Sequence, residues 1–155
     1  MSRKKLFPRL TLAVAVCTLF SVCAILTVSA DSNTPITIQQ LPATAQTFLK
    51  THFKNKKVLL VTKERDFTKV TYDVTCSDGT KMEFNNNGQW NEVDCRRSAV
   101  PAAIVPQTIA TFVTAHYPDT HICKIESDHK EYEVKLANKL ELKFDKKFRL
   151  LEVDD

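Results

Sequence analysis

The stretch "YDVTCSDGTKMEFNNNGQWNEVDC", Tyr72 to Cys95, decides the fold. Three short runs alternate apolar and polar residues at period two, and two glycine-bearing turns separate them. If Tyr72, Val74 and Cys76 face inward with Met82 and Phe84, then 76 opposes 80, 74 opposes 82, and 72 opposes 84. Ser77-Asp78-Gly79 becomes a three-residue loop with its glycine last, as such loops require. The second turn is expected to close on Asn87-Gly88, a favoured two-residue pair. That closure sets Phe84 opposite Asn91, Met82 opposite Val93 and Thr80 opposite Cys95. Both hairpins then share one apolar inner face. The alternation gives the outer face as well. Its first row is Thr71, Asn85, Trp90. Its second is Asp73, Glu83, Glu92, and its third is Thr75, Lys81, Asp94.

Working outward, the same pattern recurs downstream. "LPATAQTFLKTHFKNKKV" (41–58) matches "VPQTIATFVTAHYPDTHI" (105–122) at an offset of 64. Pro42 meets Pro106, Phe48 meets Phe112, His52 meets His116 and Phe53 meets Tyr117. The offset then becomes 60, where Tyr72 meets Tyr132, Phe84 meets Phe144, and "EVD" at 92–94 meets "EVD" at 152–154. The first copy therefore carries four extra residues near Lys63–Thr68. Each copy opens on an apolar stripe of helical period, led by a proline in the position a first turn accepts. Strands follow: "KVLLVTKE" in the first copy, and "HICKIES", "YEVKLA", "LELKF" and "RLLEVD" in the second. The expected fold is α+β. It has two repeated modules, each a helix plus a four-stranded antiparallel sheet. The first spans 31–95 and the second 105–155, with 96–104 as linker. In the second copy the outer rows are Glu131, Asp145, Leu150; Glu133, Lys143, Glu152; and Lys135, Glu141, Asp154.

The first thirty residues read as a secretory signal peptide. Arg3, Lys4, Lys5 and Arg9 precede an apolar run, and small Ala30 marks the cut. Cys17 and Cys23 each follow a valine, where lipoprotein processing prefers a small residue. Export to the periplasm or beyond is expected, with a mature form that does not span a membrane. The whole chain holds 22 basic and 18 acidic residues. Its four leader cations removed, the mature chain balances at 18 against 18, so a basic nucleic-acid footprint is not expected.

Only two glycines occur, Gly79 and Gly88, which excludes phosphate loops and dinucleotide fingerprints. No CxxC, HExxH or GxSxG appears, and no catalytic residue, metal site or cofactor is expected. His52 and His116 sit near helix C-termini, where the helix dipole favours them. Cys76 and Cys95 flank the middle strand, roughly 9–10 Å apart. A disulfide needs about 7 Å, so both are expected as buried thiols.

These stretches, with "ITIQQLPATAQTFLKTHF" and "YEVKLANKLELKFDKKF", resemble the exported PepSY-like proteins grouped with the β-lactamase-inhibitor-like proteins. The resemblance covers nearly all of 36–155. It implies two α+β modules whose sheets join into one extended curved sheet with helices on one side. It also implies an open sheet face that can grip a protein. The expected function is that of a non-enzymatic, inhibitor-like binding protein with an envelope or extracellular protein or peptide as partner. Its contact residues would be Trp90, Asp73, Glu83, Glu92, Asn85 and Leu150. The alternative is a small ligand or cation held between the modules or on the acidic rows.

Overall fold

The computed structural model describes residues 33–155. The leader reading lies outside the described residues. From the N-terminus come β1 (Thr34–Pro35), a 3-10 turn (Ile38–Gln40) and α1 (Ala43–His52). Strands β2 (Val58–Asp66), β3 (Lys69–Cys76), β4 (Lys81–Asn85) and β5 (Trp90–Asp94) follow. Then come α2 (Gln107–His116), β6 (Ile122–Ser127), β7 (Glu131–Leu136), β8 (Glu141–Asp145) and β9 (Leu150–Asp154). Among the described residues, nine strands form one sheet in sequence order, every neighbouring pair antiparallel. The fold is α+β, an open antiparallel sheet with two helices. β1 and the 3-10 turn carry no periodic signal and were not expected.

The duplication is visible in the packing. Phe48 of α1 meets Phe84 of β4 edge-on at 5.5 Å, and Phe112 of α2 meets Phe144 of β8 edge-on at 5.4 Å. Phe84, Met82, Val93, Ile125, Val134, Leu142 and Phe144 are all fully buried on the sheet face that the helices cover. Burying each such side chain contributes about 1.5–3 kcal/mol. The four additional residues of the first copy lengthen the β2–β3 hairpin, adding pairs such as Arg65↔Val70 and Asp66↔Lys69.

The join between the repeats is a strand pair. Val93 faces Ile125 and Asp94 faces Lys124. The ladder runs on past the strand ends, where Cys95 N–H donates to Cys123 O and Val100 N–H to Ile122 O, both at 2.9 Å. The 96–104 segment is no free tether, because Val100 and Ile104 are buried in the core. His121 Nε2 adds a 2.9 Å bond to Arg97 O. His52 and His116 end their helices, each ring against a phenylalanine one turn back.

The β3–β4 register is as the alternation requires, with 72 facing 84, 73 facing 83 and 74 facing 82. The second hairpin differs. It closes on Asn85, not Asn86, because Asn85 N–H donates to Gln89 O and Gly88 N–H donates to Asn85 O. The Asn85 side chain locks this three-residue loop, its Oδ1 accepting from Asn87 N–H and Gln89 N–H. Gly88, at φ 77°, supplies the left-handed position. Phe84 therefore faces Trp90, and a bulge at Asn91 restores the pairing of Glu83 with Glu92. The same device recurs at Phe144, Leu150 and Leu151.

Candidate binding face

On the uncovered face, the alternation lines carboxylates across strands. Asp73 faces Glu83, Glu83 faces Glu92, Glu92 faces Glu126 and Glu126 faces Glu133. Five acidic side chains thus run along one row through β3 to β7, and the row continues to Lys143 and Glu152. Neighbouring strands lie about 4.8 Å apart, so like charges stand directly opposite one another, an unfavourable arrangement. The sequence placed the first three members. Glu126 and Glu133 join only because β5 and β6 pair across the repeat boundary.

The electrostatics carry the strain of that row. Burial pushes the Asp73 carboxyl above its ordinary value, and Glu83 and Glu64 push it further. Burial also raises Glu92 despite Lys124 beside it. Glu133 is raised by burial and then by Glu126 and Glu141. Lys124 is the row's main counter-charge, 3.4 Å from Glu92 and ion-paired with Glu126. Burial alone would lower Lys124, but the hydrogen bond to Glu126 and the charge of Glu92 outweigh it and raise it. Asn91, pushed to this face by the bulge, donates from Nδ2 to Glu83 Oε1 at 3.0 Å. A hollow of about 420 Å³ opens over Glu83, Glu92, Glu126, Asp128, Glu131 and Glu133. Among the described residues, no three His, Cys, Asp or Glu side chains stand close enough to hold a metal ion.

Two expected contact residues are elsewhere. Trp90 does not face outward with Asn85. Opposite Phe84, it shares the helix-covered side and packs, half-buried, against the core. It lines a cleft of about 550 Å³ with Thr44, Phe48, Asp128, His129 and Tyr132. Leu150 is turned to the same side by its pairing with Phe144, although it remains 40% exposed. In both hairpins the reason is the three-residue turn with its bulge, which changes side-chain parity between the turn and the EVD triplet. A readable signal existed. Asn85 and Asp145 hold equivalent places, and each accepts backbone N–H bonds from the turn it opens. Asn85 itself is on the open face, opposite Thr71.

Cys76, Cys95 and Cys123 are buried, unbridged thiols. Cys76 and Cys95 belong to the core, flanking buried Thr80. Cys123 lies at the β6 bulge, its Sγ donating to Lys135 O at 3.4 Å. Burial pushes all three thiols up, Cys95 to about 11.

A family model described as "Putative beta-lactamase-inhibitor-like, PepSY-like" matches residues 28–71 and 70–152. Three solved structures are similar over nearly their whole length. The first, described as a "putative periplasmic protein from DUF2874 family" from Bacteroides vulgatus, is 48% identical. It superposes with a TM-score of 0.79, covering 81% of this chain and 99% of its own. The second, a "putative calcium-regulated periplasmic protein" from Bacteroides thetaiotaomicron, has the same identity, coverage and TM-score. The third, a "putative periplasmic protein of unknown function" from Bacteroides vulgatus, is 35% identical at TM-score 0.76, covering 79% of this chain and 99% of its own. No curated protein matches the chain.

Proposed function

Because this chain belongs to the PepSY-like, β-lactamase-inhibitor-like family, we propose that it is an exported, non-enzymatic binding protein. Its partner is a positively charged protein or peptide segment laid across the open sheet face. The unit of construction in this reading is a helix with four strands, used twice and fused edge to edge. The observation that carries the proposal is the row Asp73, Glu83, Glu92, Glu126, Glu133, where carboxylates stand side by side and burial pushes Asp73, Glu92 and Glu133 above their ordinary values. A cationic partner would relieve their mutual repulsion, and complementary charge speeds encounter as well. Relatives described as periplasmic support the exported location.

The test uses a lysine-rich decapeptide titrated into the mature chain at low salt and followed by NMR. Shifts should centre on Asp73, Glu83 and Glu133, and the Glu83→Gln/Glu133→Gln variant should lose most of the affinity. No binding at millimolar peptide, or unchanged binding by the variant, would overturn the reading.

A second reading takes calcium as the cation. It is favoured by the relative described as calcium-regulated and by the acidic hollow. Carboxylate oxygens are the right donors for calcium. The strand-spaced row is not a preformed cage, so Glu83, Glu92 and Glu133 would have to swing together around the ion. Binding to the native state must raise the melting temperature. An unchanged melt at millimolar calcium would remove this reading and leave the peptide reading standing.

A further inference from the structure

The two EVD triplets have the same sequence and different surroundings. In β5, Val93 is fully buried because β6 lies beside it, whereas in β9 its counterpart Val153 is 44% exposed. β9 has β8 on one side and, among the described residues, no strand on the other. Hydrogen-bond parity shows which groups this edge presents. Asp145 N–H donates to Arg149 O, and beyond the bulge Lys143 faces Glu152. Glu152 and Asp154 therefore direct their backbone to β8, and Val153 and Asp155 direct theirs outward. Cys95, the counterpart of Asp155, donates its N–H to Cys123 of β6.

The internal join thus shows what an EVD edge accepts. β6 presents "CKIES", with Ile125 opposite Val93 and Lys124 opposite Asp94, where Lys124 also reaches Glu92. We infer that the β9 edge is a strand-addition site for an extended segment with the same alternation, a basic residue followed by a β-branched apolar one. The segment extends the sheet as a tenth strand, main-chain bonds giving affinity and alternate side chains giving selectivity. Its apolar residue covers Val153 on the helix side. Its cation meets Glu152 and Asp154 on the open side, where, among the described residues, Lys143 is the counter-charge bonded to both. A second copy of β9 fits poorly. Either two-fold antiparallel register, about Val153 or about Glu152, sets carboxylates directly against carboxylates, which is unfavourable. The β2 edge of another copy is obstructed by β1, which pairs Pro35 with Thr62 and bonds Ile36 N–H to Val61 O.

The test uses the β6 sequence itself as probe, a synthetic peptide of residues 120–129 with Cys123→Ala, added to the intact mature chain. The amides of Val153 and Asp155 should shift and gain protection from hydrogen exchange, while those of Glu152 and Asp154, already bonded to β8, should gain little. A peptide carrying Lys124→Glu should bind at least tenfold more weakly. Val153→Pro removes the outward N–H at an edge position that tolerates proline and should abolish binding with the fold intact by circular dichroism. No shift at Val153 with millimolar peptide, or β9 amides already protected by a concentration-dependent dimer, would overturn the inference. Shifts confined to Asp73 and Glu83 would overturn it too, while leaving the open-face proposal intact.

Discussion

Replacing Gly88 by alanine should destabilise the protein far more than the same change at Gly79, although the two glycines share a turn type and a left-handed backbone. Both lie at positive φ, 77° and 84°. Moving alanine into that region costs about 1 kcal/mol at either place. The surroundings then separate them. A Cβ on Gly79 would meet nothing nearer than the flexible Arg96 side chain at 3.5 Å. A Cβ on Gly88 would stand 2.8 Å from Pro42 Cβ and 2.9 Å from the Ala45 backbone nitrogen. These are the cap and first turn of α1, which cannot yield without lifting the helix from Phe84. Overpacking of that kind costs typically about 1–3 kcal/mol. Gly79→Ala should therefore lose about 1 kcal/mol and Gly88→Ala about 2–4 kcal/mol. For a chain of this size, 1 kcal/mol is roughly 4 °C of melting temperature. Urea unfolding with a shared m-value is the direct assay. Equal losses at the two sites would refute the claim that α1 is seated on the β4–β5 turn. The second repeat supplies the converse. Lys139 and Phe148 occupy the equivalent places at φ 80° and 60°. Lys139→Gly should therefore gain stability, up to about 1 kcal/mol.

Thermal stability should rise as pH falls from neutral towards the ordinary carboxylate range. The raised pKa values of Asp73, Glu92 and Glu133 mean that the native state binds their protons more readily than the unfolded chain. Below the ordinary carboxylate range the trend should reverse, because Asp78 is held at about 2 by Lys56, and its stabilisation is lost as pH falls through that value. Asp73→Asn/Glu133→Gln should flatten the rising limb in a melt series, and an unaltered limb would count against the row. Trp90→Ala should cost about 2 kcal/mol as a part-buried packing residue. A loss under about 0.5 kcal/mol would instead fit a residue displayed to solvent. The three thiols should resist an aromatic disulfide reagent at pH 8 and all react in urea, since with a pKa near 11 Cys95 has a thiolate fraction of about one in a thousand. Lys124→Ala should lower stability by about 1 kcal/mol, more at low salt, by exposing Glu92 and Glu126 to each other.

The parts legible in the sequence were those governed by local periodicity. Tyr72, Val74 and Phe84 announce their face because a strand must alternate and glycine must end the Ser77–Gly79 loop. Phe48 and Phe112 announce helices by spacing and announce the duplication by offset. Trp90 was misread because Asn87-Gly88 satisfies two turn chemistries with opposite parity. The choice between them is made by the Asn85 side chain and by the approach of Pro42 and Ala45, a contact remote in sequence. Glu126 escaped notice as a row member, and Glu133 was read only in the second copy's own row, for a related reason. Their alignment with Glu92 depends on which strands become neighbours across the join, and nothing periodic in the 96–104 linker marks Val100 and Ile104 as buried.

The strand order bears on how the molecule reaches its folded state. Each strand pairs only with those before and after it in the chain, so strand pairing needs no partner from elsewhere in the sequence, while α1 waits for β4 and β5 to form the surface it packs on. A protein that leaves the cell interior as an unfolded thread, N-terminus first, can assemble this sheet in the order in which it emerges. β2 and β3 can close before β6 has crossed, and each later hairpin docks on an edge already built. Of the described strands β9 emerges last, and no described strand follows to cover its far side.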